Sequence, residues 1–232
     1  MKSAIVTGAS SGIGLAISTY LVSHNYTVYG AARSFEQCDF EAPQFKQCQC
    51  DVTKTNQIEG LCRDVLNRHN NKLDVLVNNA GVGYFGPYES LSTKEINNMI
   101  DVNLKAPMLF SNRLLRAIKR AEGMIINISS ITAEIISPWG NAYGATKAGL
   151  LHFGDLLFDE IRKSGAQVVA IQPDLTDTGF YDHLDFEPHA DPTAHLTTDD
   201  VIKAVDLVLN QRKGSVVTKL NLRPQTLKIN KK

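Results

Sequence analysis

The stretch Thr7-Gly8-Ala9-Ser10-Ser11-Gly12-Ile13-Gly14 decides how the chain is organised, because it separates a short apolar run from a longer amphipathic one. The run from Ser3 to Thr7 is typical of a strand, and the stretch from Gly12 to His24 is typical of a helix. Asn25 tolerates the left-handed conformation in which helices often end. A second strand is predicted at Thr27 to Ala31, so the chain opens with a βαβ unit.

The same alternation of strands and helices continues along the chain. Further strands are predicted at Phe45 to Cys50, Leu73 to Asn78, Met124 to Ile128, Gln167 to Ile171 and Val216 to Leu222. Further helices are predicted near Lys54 to His69, Thr93 to Arg120, Ala142 to Lys163 and Thr198 to Gln211. Parallel strands need crossover connections, and helices supply them here. The pattern therefore predicts a Rossmann-type, doubly wound α/β fold, with a seven-stranded parallel sheet and helices on both faces.

The length of 232 residues fits a single domain that spans residues 1 to 232. The irregular span 174–197 carries Pro188, Pro192 and three histidines. Such a span is more typical of a loop over a site than of an interdomain linker. We therefore expect a substrate loop at about residues 174–197.

Charge and hydropathy exclude several classes of partner. Lys plus Arg and Asp plus Glu each total 24, so the net charge is zero and nucleic acid is not expected as the main partner. No apolar stretch approaches the roughly 20 residues that a membrane span needs. The stretch from Met1 to Ser11 lacks the features of a signal peptide, and a cytoplasmic location is expected.

Four cysteines lie close together in the sequence, at Cys38, Cys48, Cys50 and Cys62. In a strand, Cys48 and Cys50 would share one face, which leaves a zinc site conceivable. Structural zinc sites favour Cys-x-x-Cys pairs, however, and a reducing cytosol keeps cysteines free. We expect free cysteines and no metal.

The glycine turn after the first strand suits a dinucleotide. Glycine lets the backbone turn sharply and approach a pyrophosphate, and the helix that follows offers free N–H groups and a partial positive charge. A P-loop is excluded because no Gly-Lys-Ser/Thr follows. An ordinary tight turn is the alternative. The predicted contacts with the dinucleotide are Gly8, Ser10, Ser11, Gly12, Ile13 and Gly14.

The end of the second strand predicts the phosphate state of that dinucleotide. An acidic residue at this place would hold a ribose 2′-hydroxyl and repel a 2′-phosphate, but the chain reads Ala31-Ala32-Arg33-Ser34. Arg33 offers a guanidinium fork and Ser34 a hydroxyl, so NADP(H) is favoured. The alternative is that Arg33 stacks on adenine or lies in solvent.

These residues, with Asn78-Asn79-Ala80-Gly81 and Tyr143-Gly144-Ala145-Thr146-Lys147, make the chain resemble the short-chain dehydrogenase/reductase family from Thr7 to about Thr178. The resemblance implies that Asp51 and Val52 contact adenine. It implies further cofactor contacts at Asn78, Asn79, Ala80, Gly81, Tyr143, Lys147, Pro173, Thr176 and Thr178. It also implies a catalytic tetrad of Asn103, Ser130, Tyr143 and Lys147.

The chemistry of the Tyr143 and Lys147 pair agrees with this resemblance. Residues four apart in a helix emerge on one face, although such a pair taken alone is usually only a solvated helix face. A nearby ammonium favours the phenolate of a tyrosine, so Tyr143 can exchange a proton with a substrate oxygen. Ser130 would hydrogen-bond that oxygen, and Asn103 would help to hold a water that relays protons from Lys147.

One residue departs from the family pattern. The family usually has Pro-Gly after the sixth strand, where this chain has Pro173-Asp174. We expect the Asp174 carboxylate to lie near the nicotinamide and to favour its oxidised, cationic form.

Taken together, these features predict an oxidoreductase that transfers hydride between NADP(H) and a small carbonyl or alcohol substrate, as a reductase of ketones or aldehydes. A catalytically idle NADP-binding regulatory protein is the alternative. The family resemblance adds the expectation of a homodimer or homotetramer. Aromatic residues that flank the motifs are candidates to line an apolar pocket: Tyr84, Phe85, Trp139, Phe180, Tyr181 and Phe186.

Overall fold

The predicted βαβ units join in one parallel sheet in the computed structural model, which describes residues 1–232. The strands are β1 (Lys2–Thr7), β2 (Tyr26–Ala32), β3 (Phe45–Gln49), β4 (Val75–Asn78), β5 (Met124–Ile128), β6 (Gln167–Pro173), β7 (Phe186–Pro188), β8 (Lys219–Leu222) and β9 (Ile229–Lys231). The helices are α1 (Gly12–Ser23), α2 (Thr55–Arg68), α3 (Thr93–Ile100), α4 (Ala106–Ala121), α5 (Asn141–Ile161) and α6 (Thr198–Leu209). Seven strands form the sheet in the order β3-β2-β1-β4-β5-β6-β8, so the predicted fold class is confirmed.

The sheet separates two apolar layers because successive residues of a strand point to opposite faces. In β1, Ala4 and Val6 pack with α1 and α6, whereas Ile5 packs with α2, α4 and α5. Both faces of the sheet are therefore buried, as an all-parallel sheet requires. No helix combines the length and the apolar character needed to cross a membrane.

The long helix predicted from Thr93 to Arg120 is helical throughout, but it contains a π-helical turn. A π-helical turn at Asp101–Lys105 lies between α3 and α4. Pro107 follows this turn closely and lacks the N–H that a regular α-helix would use in a hydrogen bond at that position. The wider turn buries Asn103 completely. Such π-helical turns are frequent at functional sites.

The predicted loop at 174–197 is partly ordered by a second, small sheet. A 3₁₀ turn spans Gly179–Tyr181, and β7 pairs with β9 in antiparallel fashion, with Phe186 opposite Lys231. The main chain of Thr176 also bridges to that of Leu196. The last residues of the chain thus hold the loop over the carboxyl edge of the main sheet.

The left-handed conformation expected at Asn25 is present, with φ of 63°. It follows the end of α1 and returns the chain directly into β2, so that β1 and β2 pair in parallel from Lys2 opposite Tyr26. This tight connection places the carboxyl ends of both strands at one edge of the sheet.

The close packing between β2 and β3 leads to a prediction about Gly30, for which Gly60 on α2 is the control. A Cβ atom at Gly30 would lie 2.6 Å from the Phe45 ring and 2.8 Å from the Ala9 Cβ. Gly30→Ala should therefore lower the free energy of unfolding by about 1–3 kcal/mol through overpacking. Gly60→Ala in α2 is the matched control, because a Cβ there meets nothing closer than 4.0 Å. It should raise stability by about 0.5–1 kcal/mol, since alanine favours a helix over glycine. Urea unfolding checks both, and equal midpoints for the two variants would contradict this packing.

Candidate active site

The segments that follow the carboxyl ends of β1 to β6 line one cavity of about 1060 Å³. Parallel strands end at the same edge, so residues distant in sequence converge there. The sequence-predicted residues on its wall are Gly8, Ser10, Ser11, Gly12, Ile13, Arg33, Asp51, Val52, Asn79, Ala80, Gly81, Ser130, Tyr143, Lys147, Pro173, Thr176 and Thr178. Four others lie outside the wall: Gly14, Ser34, Asn78 and Asn103.

The glycine turn forms one end of the cavity. Gly8 and Gly12 have φ of 68° and 52°, values that side chains other than glycine rarely adopt. The first turn of α1 has no acidic residue, and the N-cap residue Ser11 makes no capping hydrogen bond. The N–H groups at this helix end therefore remain available to an anion, which fits a pyrophosphate.

Gly14 serves packing rather than the cavity wall. A Cβ atom at this position would lie 2.1 Å from the carbonyl oxygen of Gly8 and 2.5 Å from Nδ2 of Asn79. Only glycine therefore lets α1 approach the turn after β1 this closely.

Thr7 and Asn79 join the turn after β1 to the turn after β4. The Thr7 hydroxyl accepts from the main-chain N–H groups of Asn79 and Ala80, both at 3.0 Å, and Asn79 Nδ2 donates to the Thr7 carbonyl at 2.9 Å. The neighbouring Asn78 is buried and donates to Asn127 Oδ1 at 2.9 Å. Asn78 thus connects β4 to β5 and does not line the cavity.

At the end of β2, Arg33 and Ser34 behave differently. Arg33 is exposed on the cavity wall, and its guanidinium makes no ion pair or hydrogen bond. Ser34 lies off the wall and accepts the N–H of Glu36 at 3.2 Å, so its hydroxyl stabilises a local turn. Arg33 is therefore the residue at this end of the cavity with free hydrogen-bond donors.

Asp51 lies across the same end of the cavity. Its Oδ1 accepts the main-chain N–H of Thr53 at 2.9 Å and the hydroxyl at 2.8 Å. Burial alone would raise the pKa of Asp51, but these hydrogen bonds outweigh it and hold the pKa below its usual range. The carboxylate is therefore ionised and fixed in orientation.

Ser130, Tyr143 and Lys147 meet in the middle of the cavity. Lys147 Nζ donates to the Ile128 carbonyl at 3.0 Å and lies 5.7 Å from the centre of the Tyr143 ring. The Ser130 hydroxyl accepts from the N–H and the hydroxyl of Thr132, so its own proton is left to donate. The adjacent Ser129 donates to the Lys147 carbonyl at 3.0 Å, which ties α5 to the end of β5.

Burial shifts both ionisable groups of this trio towards their neutral forms. It raises the pKa of Tyr143 to about 12, although the Ser130 hydroxyl partly opposes this, and it lowers the pKa of Lys147 to about 8. Neither group has a carboxylate partner. The lysine therefore titrates close to neutral pH, whereas the tyrosine is protonated there.

Asn103 stands behind this trio. Its Oδ1 accepts the Val82 N–H at 2.9 Å, and its Nδ2 donates to the Val82 carbonyl at 2.8 Å and to the Thr146 hydroxyl at 3.1 Å. The side chain thus joins the loop after β4 to α5, the helix that carries Tyr143 and Lys147. The water-holding role expected for Asn103 stays a prediction.

Asp174 lies on the cavity wall with its carboxylate almost fully buried. Oδ1 accepts the Leu175 N–H at 2.9 Å, while Oδ2 has no hydrogen bond and lies 3.6 Å from Arg223 Nε. Arg223 therefore offsets part of the charge that Asp174 brings to the cavity. The expected effect of Asp174 on the nicotinamide stays a prediction.

Five aromatic rings on the cavity wall, that of Tyr143 among them, form a closed circuit, called here the aromatic circuit. Its neighbouring ring centres lie 5.2 to 6.0 Å apart. The rings, in order, are Phe85, Tyr143, Phe180, Tyr181 and Phe186. Of the other candidates, Trp139 lines the cavity, but Tyr84 packs against His183 and accepts a hydrogen bond from Asn98.

The sequence did not indicate the wall that comes from the end of the chain. This wall consists of Arg223, Leu227, Lys228, Ile229 and Lys231. The sequence also missed Ile135 and Ile136, which line the cavity as well. A three-residue strand such as β9 carries too little alternation to be recognised, and its partner β7 lies about forty residues earlier.

Known proteins resemble the chain over nearly its whole length. An uncharacterized oxidoreductase of Staphylococcus epidermidis is 29% identical over an alignment of 228 residues, which covers 96% of this chain and 97% of that protein. An alcohol dehydrogenase of the archaeon Thermococcus sibiricus, solved with 5-hydroxy-NADP, is 30% identical, with a TM-score of 0.87 and coverage of 97% of both chains. A metagenomic short-chain oxidoreductase solved with NADP is 33% identical, with a TM-score of 0.80 and coverage of 98% of both chains.

A family model described as short chain dehydrogenase matches residues 2–187. That range includes the glycine turn, Asn79 and the trio of Ser130, Tyr143 and Lys147, but not the wall that residues 223–231 provide. The chain therefore belongs to the short-chain dehydrogenase/reductase family of oxidoreductases.

Proposed function

We propose that this protein is an NADP(H)-dependent reductase of ketones or aldehydes, which also runs the reverse oxidation of the alcohol. The observation that carries the proposal is the buried trio of Ser130, Tyr143 and Lys147 on the wall of the cavity. Burying a lysine without a carboxylate partner costs stability, and a protein that only bound the cofactor would have no need of all three side chains together. This favours an enzyme over the idle regulatory protein.

The proposed cofactor would lie along the cavity between two groups of residues. The turn of Gly8 to Gly12 would hold the pyrophosphate, and Asn79, Ala80 and Gly81 would line the path towards Tyr143. Gly12 lies against Thr178, since a Cβ on Gly12 would meet the threonine side chain at 3.3 Å. The loop after β6 could thus cover the pyrophosphate. When bound, NADP(H) supplies the hydride for reduction or accepts it in the reverse reaction.

Proton transfer falls to Tyr143. As the carbonyl carbon gains hydride, its oxygen gains a proton from the Tyr143 hydroxyl, so that the carbonyl becomes an alcohol and the tyrosine becomes a phenolate. The Ser130 hydroxyl would donate to the same oxygen. The Lys147 ammonium would stabilise the phenolate across the short distance that the structure shows between the two side chains.

The preference for NADP(H) is supported by Arg33. Its guanidinium lies free on the cavity wall, and no acidic residue stands from Ala31 to Ser34. Two of the solved relatives carry NADP or a derivative of it. A 2′-phosphate would pair with Arg33 through charge-assisted hydrogen bonds.

We also propose that the chain forms a homodimer or homotetramer in the cytoplasm. Exposed apolar side chains on α3, α4 and α5, namely Ile100, Met108 and Leu156, support a contact between subunits. These residues lie away from the cavity wall.

The first test removes the proton donor. Tyr143→Phe should lower kcat by about 10²- to 10⁴-fold, because general acid catalysis typically contributes that much, while NADPH still binds. Steady-state kinetics and fluorescence titration with NADPH measure the two effects. The matched control is Tyr88→Phe, whose hydroxyl is exposed and off the cavity wall, and it should keep the parent rate. Turnover by Tyr143→Phe within a few-fold of the parent would rule out this role.

The second test uses the buried lysine. The pKa of Lys147 falls from 10.5 to about 8 in the folded protein, so between these values the unfolded state binds more protons than the folded state. Stability should therefore rise with pH across this window, by on the order of 3 kcal/mol from this one group. Lys147→Met should remove that rise, gain stability at pH 7 and lose activity.

The exposed Lys72→Met is the matched control and should keep the parent curve. Urea unfolding at several pH values between 7 and 10.5 measures the effect. Parallel curves for the parent and for Lys147→Met would show that burial does not lower the pKa of Lys147.

The third test addresses the cofactor. Ala32→Asp combined with Arg33→Ala should reduce kcat/KM for NADPH by about 10- to 150-fold, because a hydrogen bond to a charged group is worth about 1.5–3 kcal/mol. The efficiency with NADH should hold or rise, since the new carboxylate can accept from a free 2′-hydroxyl. Arg120→Ala, an exposed change off the cavity wall, controls for net charge at fixed ionic strength. A parent that prefers NADH would make the proposed cofactor NAD(H).

A further inference from the structure

Exposed apolar side chains concentrate at the mouth of the cavity. They come from the segment after Ser130 and from the end of the chain, and they form what we call the apolar collar: Ile135, Ile136, Trp139, Leu227 and Ile229. Ile136 is 93% exposed and Leu227 is 68% exposed. Large apolar side chains left in water around one opening indicate a surface that an apolar ligand covers.

The rest of the molecule shows no comparable concentration around an opening. The other large apolar side chains that are exposed lie off the cavity wall: Met1, Tyr88, Ile100, Met108, Leu156 and Leu207. Single exposed side chains of this kind are ordinary in proteins. The collar is distinguished because its five residues share one cavity with the proposed reaction centre.

Backbone strain accompanies the collar. Trp139 has φ of 64°, a left-handed conformation that is rare for so bulky a residue. Its carbonyl accepts the N–H of Gly86 at 3.0 Å, which holds this conformation in place. Strained residues of this kind cluster where function requires them, and here the strained residue presents an indole at the cavity mouth.

The inner wall is apolar as well. A Cβ atom at Gly83 would lie 2.7 Å from the Phe85 ring and 2.8 Å from the Phe180 ring, so these rings pack directly on the main chain. His183 Nε2 is already bonded to the Gly83 carbonyl at 3.0 Å. Within the aromatic circuit, the hydroxyls of Tyr143 and Tyr181 are the only polar side-chain groups with which a substrate hydroxyl could pair.

We propose that the substrate is a ketone or aldehyde with an extended apolar chain, an inference that rests on the proposed reductase function. The carbonyl lies against Ser130 and Tyr143, the neighbouring carbons lie within the aromatic circuit, and the remainder of the chain covers the apolar collar. Sugars and other polyhydroxy carbonyl compounds are disfavoured, because each buried hydroxyl would lose its hydrogen bonds to water without replacement.

The experiment compares 2-butanone, 2-hexanone, 2-octanone and 2-decanone with glucose, each with NADPH. kcat/KM should rise about two- to fourfold for each added methylene, as expected when apolar surface is transferred from water to the cavity and the collar. Glucose should be reduced at least about 10²-fold less efficiently than 2-octanone.

Two collar variants locate the contact. Ile136→Ser and Leu227→Ser should each lower the ratio of kcat/KM for 2-decanone over 2-butanone by about three- to tenfold. Leu207→Ser is the matched control, because Leu207 is similarly exposed on α6 but lies off the cavity wall, and it should leave the ratio unchanged. Trp139→Asn should also lower the ratio while the melting temperature holds, since asparagine tolerates a positive φ.

The outcomes separate the inference from the function on which it rests. If no ketone, aldehyde or sugar is turned over, the proposed reductase function fails and the inference fails with it. If 2-butanone and 2-decanone react equally well, or glucose is preferred, the protein is a reductase but the proposed substrate class is wrong. If the collar variants change the elution volume in size-exclusion chromatography and leave the ratio intact, the collar is a subunit contact and the inference is overturned.

Discussion

The close packing of α1 against the turn after β1 is the constraint on which the rest of the cavity depends. There is no room for a single carbon atom between Gly14 and the carbonyl of Gly8, and Asn79 fills the space on the other side. This contact fixes the start of α1, and the hydrogen bonds between Thr7 and Asn79 then fix the turn after β4 relative to it. One small set of contacts thus holds two walls of the cavity, the turn after β1 and the turn after β4. Gly14 belongs to this set although it does not line the cavity.

The trio of Ser130, Tyr143 and Lys147 depends on the surrounding packing for a different reason. Tyr143 and Lys147 are both nearly inaccessible to water, and their shifted pKa values follow from that burial. A buried lysine without a carboxylate partner opposes folding, so the surrounding structure must hold it there. The apolar contacts of the two layers, and the hydrogen bonds that Asn103 and Ser129 make to the loop after β4 and to α5, provide that support. The burial that shifts the pKa values of Tyr143 and Lys147 therefore also lowers the stability of the fold around α5, the helix that carries both residues.

Much of the fold and of the site could be predicted from the sequence because both depend on local patterns. The alternation of strands and helices gave the order of elements, and the spacing of glycines, Asn79 and the Tyr143-Lys147 pair marked positions that do converge on one cavity. Sequence spacing could not show that Gly14 and Ser34 lie off the cavity wall. The difference lies in which atom each one faces in three dimensions, and sequence spacing does not record that.

Other features depend on long-range contacts that no local pattern reveals. The π-helical turn at Asp101–Lys105 interrupts a stretch whose apolar periodicity looks continuous, and Pro107 was the only local sign of it. Strand β9 is three residues long and gains its structure from pairing with β7. The pairing of Arg223 with Asp174 is equally invisible, because the two residues meet only after β6 and β8 are aligned.

The short ladder of β7 and β9 also bears on how the protein can be handled. Two strands of three residues are marginally stable alone, and hydrogen bonds from Lys232 to the carbonyls of Asp185 and Tyr181 add to their hold on the loop. A purification tag or fluorescent fusion attached after Lys232 would lie beside the aromatic circuit. It would disturb the loop that carries Phe180, Tyr181 and Phe186. Met1 precedes β1 at the opposite, amino edge of the sheet, so the same tag placed there would leave the cavity undisturbed.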